Sequence, residues 1–376
     1  MAAPLRNRNA IKKDKRVQVG IRLNSNEQKA LKQLFGGTTK GVQVLLAREI
    51  ERRKDLRNTA RNQLLNSVAS KNYHRPIIEG NVNIKPFYED QRIVLYHGDA
   101  LEVLSTLPRK YVDCSVTSPP YYGQRDYLVE NQLGLEPHPY EYLVRLLSIF
   151  VEFQKVLKDS GSSWVNIGDT YWSGRGFSQG IDNKQRNRRF HRPQDLTGER
   201  PWCTPKQLLL IPHRFAMLMQ EHGWIVRNDN VWYKPDPIPD PVNDRCARVH
   251  EYVFHFVKQR KYYFDPDAVA VPTTSTTSQK GTKPHPSVWT ISTSGAALGK
   301  EHIAVFPDAL TQLPIRATCP KNGVFLDPFC GSGTSMLVAR DVGKARRVIG
   351  IDADENALKE AQRLLTGSAM MKNSRR

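Results

Sequence analysis

Two adjacent prolines close an apolar run at Val112-Asp113-Cys114-Ser115-Val116-Thr117-Ser118-Pro119-Pro120-Tyr121, and few features restrict a chain more. Each proline fixes φ at about −65° and removes a backbone donor. Pro120 also pushes Pro119 toward an extended conformation. The run therefore reads as a strand over 112–117 that delivers a rigid corner. Past it stands a stiff wall of carbonyl acceptors and one hydroxyl, with Tyr121 ready to stack. Such a wall can hold an exocyclic NH2 group by its two hydrogens. An amine conjugated to a nucleobase is a poor nucleophile, and accepting both hydrogen bonds pulls its lone pair out of conjugation and aims it. Tyr121 could instead be a core aromatic, but after two prolines at a strand end a rim position suits it better.

A second segment has complementary character. Val324-Phe325-Leu326-Asp327-Pro328-Phe329-Cys330-Gly331-Ser332-Gly333-Thr334 is an apolar run ending in a carboxylate and a Gly-x-Gly turn, and helix-compatible residues follow from Ser335 to Arg340. Glycines there let the backbone approach a ligand closely. About twenty residues on, Arg347–Asp352 reads as another strand ending in an acid, the spacing at which Rossmann-like folds bind ribose hydroxyls. A Gly-x-Gly turn alone carries little weight. Its pairing with the downstream acid and the upstream proline corner carries more.

Together these segments resemble the amino-group DNA methyltransferases that use S-adenosylmethionine. Ser118-Pro119-Pro120-Tyr121 is similar to the family's catalytic motif IV, (D/N/S)-P-P-(Y/F). Asp327 to Thr334 resembles motif I, D-P-F-x-G-S-G-T, and Asp352 resembles the motif II acid. His302 to Leu310 resembles motif X, H-x-A-x-F-P-x-x-L. Gly98-Asp99-Ala100-Leu101 resembles the G-D-x-L segment that supplies an acid near the cofactor's adenine, although Asp99 also reads as a simple turn residue. The clamp precedes the cofactor loop, which is the permuted order of the group called beta and favours DNA over protein or RNA as substrate.

The resemblance implies an α/β, Rossmann-like methyltransferase domain over 92–366, with a mostly parallel sheet and helices on both faces. It implies catalytic roles for Ser118, Pro119, Pro120 and Tyr121. Cofactor contacts fall to Asp99, Thr117, Asp327, Pro328, Phe329, Cys330, Gly331, Gly333, Thr334 and Asp352. The cofactor is S-adenosylmethionine, with no metal, because a sulfonium is already an activated methyl donor. The target base must be flipped from the duplex at a cost of a few kcal/mol. The Ser118 side chain and Pro119 carbonyl would then accept from its amine. Cys330, inside the cofactor turn, reads as a small apolar filler. Ring-carbon methylation is disfavoured, since Cys319-Pro320 is in the wrong order for a cysteine nucleophile. Serine at the first clamp position resembles the cytosine-N4 enzymes, and aspartate is commoner in adenine-N6 enzymes; both bases stay open. A DNA-binding regulator with a degenerate enzyme domain is the competing class, and the intact clamp, glycines and acids argue against it.

The formal charge of +19 on 376 residues calls for a polyanionic partner, here double-stranded DNA. Five scattered cysteines without CxxC spacing argue against a zinc site and suit a reducing cytoplasm. No apolar run has membrane-spanning length, so no membrane partner is expected.

Residues 1–16 read as a basic disordered arm. Val17 to Leu23 alternates as a half-buried strand. A helix follows from a capping box at Ser25–Gln28, and Thr39 can cap a second. Residues 17–54 thus resemble a small ribbon-helix-helix module, which would dimerise the protein and turn Gln18 and Arg22 toward base edges. A helical appendage that packs on the enzyme or touches phosphate is the alternative. Residues 55–91 read as a connector and 367–376 as a basic tail. Residues 172–206 form a long loop with Lys184, Arg186, Arg188, Arg189 and Arg192, read as DNA-facing. Residues 266–300 read as a short target-recognition segment. A cognate restriction endonuclease is a candidate partner.

Overall fold

The computed structural model describes residues 84–173, 193, 203–237, 239–240, 242–274, 278–293, 307–343 and 345–373, with side chains through 367. The N-terminal arm and module with Gln18 and Arg22 lie outside the described residues. So do Lys184, Arg186, Arg188, Arg189, Arg192 and motif X before Pro307.

Strands and helices alternate through most of the described chain. The strands are β1 (Tyr88–Glu89), β2 (Ile93–His97), β3 (Val112–Thr117), β4 (Leu157–Ile167), β5 (Ile225–Tyr233), β6 (His250–Val257), β7 (Val271–Pro272), β8 (Thr282–Lys283), β9 (Val288–Thr290), β10 (Val324–Asp327) and β11 (Arg347–Asp352). The helices are α1 (Ala100–Thr106), α2 (Pro139–Val156), α3 (Ile211–Glu221), α4 (Asp308–Thr318), α5 (Thr334–Asp341) and α6 (Glu355–Asn373). One sheet runs in the order β1-β2-β11-β10-β3-β4-β6-β5-β9, while β7 and β8 form a separate antiparallel pair. From β2 through β4 every neighbouring pair is parallel. β6 then pairs antiparallel with both β4 and β5, and β9 adds parallel to β5.

Period-two alternation divides the strand side chains between two cores. Val94, Val112, Val165, Leu326, Ile349 and Phe256 face one layer, made by α1, α2 and α3. Leu95, Cys114, Trp164, Phe325 and Val348 face the other, made by α4, α5 and α6. The sheet therefore carries helices on both faces, as the sequence implies. Helix α2 shows why: Tyr142, Leu143, Leu146, Phe150 and Phe153 recur at helical spacing and are all buried. Pro139 stands in its first turn, where a missing N–H costs nothing, and the His138 side chain accepts from the Tyr140 amide.

Two boundaries differ from the sequence reading. Lys158–Gly161 reads as a helix end, yet β4 begins at Leu157, directly after α2. Leu157 is already paired with Val112, and a register shift before Cys114 absorbs the polar residues between. The sheet also begins before Arg92, because Tyr88–Glu89 in the connector pair with β2.

Asp113 pins the centre of the sheet. Its carboxylate accepts from Lys158 Nζ at 2.8 Å on both oxygens and from the Val324 amide at 2.9 Å, tying β3 to β4 and β10. Asp113→Ala should leave the buried Val324 amide without its acceptor. The expected loss is about 1.5–3 kcal/mol of stability, measured as a shift in urea-induced unfolding.

Candidate active site

β3 and β10 are parallel neighbours, with Cys114 opposite Phe325. The chain leaves β3 through α2 toward β4, on one side. It leaves β10 through α5 toward β11, on the other. Their carboxyl-end loops therefore diverge, and a crevice opens at this switch point. It forms a cavity of about 1210 Å³. The proline corner lines it through Ser118, Pro119, Pro120 and Tyr121. The glycine turn lines it through Pro328, Phe329, Cys330, Gly331 and Thr334, and Asp99 and Asp352 complete that side.

Three residues expected to touch cofactor do not line the cavity: Thr117, Asp327 and Gly333. Asp327 is buried behind the wall. Its Oδ1 accepts from Thr117 Oγ1 at 2.5 Å and from the Phe329 amide at 3.0 Å, and its Oδ2 accepts from Ser335 Oγ. It is thus a buttress that locks the end of β3 to the turn after β10. Burial pushes its carboxyl up to about 6 against the pull of those donors. Gly333 stands at φ +83°, where a side chain would be strained, and an added Cβ would meet Ala361 at 3.0 Å.

Asp352 ends β11 at the cavity. Its Oδ2 accepts from the Gly331 amide at 2.8 Å and its Oδ1 from the Asp354 amide at 2.9 Å. Each oxygen keeps further acceptor capacity for a ligand hydroxyl. Burial raises its pKa despite these donors. Asp99 caps α1, with Oδ1 accepting from Leu101 and Glu102, so the turn role and the cavity position coexist. Cys330 is buried and its thiol is pushed well up, first by burial and then by Asp352, which fits a filler rather than a nucleophile.

On the clamp side, the Pro120 carbonyl is engaged by the Tyr142 hydroxyl at 3.0 Å. Tyr121 is half-buried, as a rim residue should be, and its ring lies against Gly168, where a Cβ would come within 2.6 Å. Its hydroxyl lies 2.7 Å from Glu251 Oε2, 3.0 Å from Asn166 Oδ1 and 3.3 Å from Ser118 Oγ. Glu251 in turn pairs with Lys234, which sits 4.2 Å over the Trp232 ring. Asn166, Trp232, Lys234 and Glu251 all line the cavity, and none stands among the candidates drawn from sequence. Their signal was faint: an amide within Trp164-Val165-Asn166-Ile167 and a carboxylate near the start of β6, neither inside a recognised motif.

Residues 112–363, more than half of the chain, match the N6/N4 family model described as DNA methylase. The chain belongs to this DNA methylase family. It is 42% identical over 259 residues to the Type II methyltransferase M.XycI of Xanthomonas campestris pv. cyanopsidis, covering 69% of this chain and 82% of that protein. It is 40% identical over 274 residues to M.Cfr9I of Citrobacter freundii, covering 73% and 87%. Among solved structures, the PvuII DNA methyltransferase (cytosine-N4-specific) aligns with a TM-score of 0.53 at 22% identity, over 76% of this chain and 96% of that one. That likeness establishes the shared fold. The protein is therefore a DNA methyltransferase of the N4/N6 class.

Two outcomes test this candidate site. Between pH of about 4 and 6 the folded Asp327 holds a proton that the unfolded chain has lost, so its contribution to stability declines as pH rises through that window. Asp327→Asn stays neutral throughout. Relative to wild type it should gain about 3 kcal/mol from pH 4 to pH 7 in denaturant titrations. Gly168→Ala should displace the Tyr121 ring and slow methyl incorporation into DNA by about 100-fold, since small misplacements at a reacting centre cost that much.

Proposed function

We propose that this methyltransferase moves a methyl group from S-adenosylmethionine to the N4 amine of a cytosine flipped out of duplex DNA. The observation that carries the reading is the uncharged Ser118-Pro119-Pro120-Tyr121 corner facing the Gly331–Asp352 turn across one cavity. A volume of about 1210 Å³ exceeds that of most small-molecule sites and leaves room for a nucleoside cofactor and a base together.

The residues fit the cofactor. Asp352 offers acceptor capacity on both oxygens beside the Gly331 turn, the acceptor pair that a ribose diol's two hydroxyls require. Gly331, at φ +49° with nothing within 4 Å of an added Cβ, leaves open space over the turn. Phe329 supplies an apolar wall. When bound, S-adenosylmethionine would supply a methyl group activated by its sulfonium charge.

The chain's own task is positioning. Tyr121 stacks on the base, and the Ser118 hydroxyl and the Pro119 carbonyl accept the two amine hydrogens. The nitrogen lone pair is thereby turned toward the glycine turn. Holding donor and acceptor in contact can lower the barrier by several kcal/mol without other chemistry. Serine at 118 accepts without placing a charge against the ring edge, which favours cytosine N4 over adenine N6. Gln18, Arg22 and the basic residues from Lys184 to Arg192 are proposed to hold the duplex, and binding should weaken steeply with salt.

The test is digestion of DNA methylated by the purified protein, followed by mass spectrometry of its nucleosides. N4-methylcytosine is expected; N6-methyladenine would overturn the base assignment. Tyr121→Ala should abolish transfer with cofactor affinity nearly intact, whereas Asp352→Ala should weaken the cofactor first, both read by calorimetry beside the transfer assay. Full turnover by Tyr121→Ala would remove the stacking role.

A further inference from the structure

A serine hydroxyl can donate or accept, so Ser118 needs something that fixes its direction. The hydrogen bonds behind it supply that. The Asn166 amide nitrogen lies 3.2 Å from the Tyr252 carbonyl, which can only accept. The amide is therefore oriented with Oδ1 toward Tyr121, 3.0 Å away. The other inward neighbour of the Tyr121 hydroxyl is the Glu251 carboxylate at 2.7 Å, also an acceptor. Both inward partners of the phenol thus lack a proton to give. Tyr121 has one proton and must donate it inward. Burial and the adjacent Glu251 carboxylate push its pKa well above the usual tyrosine value, so that proton stays in place. The phenol oxygen then receives from Ser118 Oγ, 3.3 Å away. Lys234 anchors the far end: it pairs with Glu251 through Oε1, leaving Oε2 to face Tyr121.

We infer that Glu251, held by Lys234 and assisted by Asn166, is a positioning residue that runs a one-way hydrogen-bond chain, Ser118 to Tyr121 to Glu251, and so makes the Ser118 hydroxyl an obligate acceptor toward the cavity. The inference rests on the reading that Ser118 receives the target amine. It gives the Tyr121 hydroxyl a role separate from its ring, and it places a specificity device on β6 and just past β5, far in sequence from the clamp. A neutral serine so directed acts toward the amine as a carboxylate would, without the charge.

The chain makes a non-additive prediction for single-turnover methyl transfer to duplex DNA. Tyr121→Phe keeps the ring and removes the acceptor for the Ser118 proton; the rate should fall about tenfold or more. Ser118→Asp has no proton to direct. In an S118D background the same Tyr121→Phe change should cost less than about twofold, the signature of coupled residues in a double-mutant cycle. Equal losses in both backgrounds, or no loss from Tyr121→Phe in wild type, would overturn the chain. Should S118D be inactive, Glu251→Gln decides the matter. Lys234 requires the glutamine carbonyl, so the amide turns a donor toward Tyr121 and removes the carboxylate acceptor, leaving Asn166 Oδ1 alone to take the phenol's proton. Transfer should then slow by about tenfold or more while cofactor affinity stays within about twofold. A Glu251→Gln protein at the wild-type rate would refute the inference. Wild-type transfer is the control that separates the two readings: its absence removes the methyltransferase assignment, whereas its presence with unaffected variants removes only the chain.

Discussion

Parallel pairing of β3 with β10 is the constraint from which the site follows. These strands are distant in sequence, and their following helices lie on opposite faces of the sheet. A crevice must open where such crossovers part. The clamp occupies one lip and the glycine turn the other. Had the two segments been joined through successive crossovers on one face, helix packing would have closed the gap between them.

Buried carboxylates maintain that junction. Asp113 draws the Val324 amide and Lys158 together at the start of the strands. Asp327 draws Thr117, Ser335 and the Phe329 amide together at their end. At Asp327 the donors offset the desolvation cost only in part, and an unpaired charge there would be far costlier. The effect is rigidity where it counts. The proline corner is stiff by covalent geometry, the glycine turn is held by Asp327 and Asp352, and the Tyr121 ring rests against Gly168 with its hydroxyl anchored on Glu251.

Much of this was legible in the chain. Strand runs such as Val112–Thr117 and Arg347–Asp352 declared themselves by composition and by what ended them. The clamp, the turn and Asp352 were legible because prolines, glycines and a strand-end acid carry local conformational meaning. Roles were less legible than positions. Thr117 and Asp327 stand beside cavity-lining residues in sequence, yet strand alternation and the buried junction turn them inward toward each other. The abrupt passage from α2 to β4 at Leu157 was hidden because a register shift accommodates polar residues that would otherwise mark a loop.

The sequence by itself determined the local pieces: which segments are strands, where the backbone is stiffened or freed, and which motifs resemble those of the DNA methylase family. Only the tertiary structure decided that Glu251 on β6 meets the clamp tyrosine directly, with Asn166 of β4 beside it and Lys234, just past β5, behind it. The physical reason is that hydrogen-bond direction belongs to a network. A lone carboxylate in an apolar strand states no partner until the sheet register brings one within 3 Å.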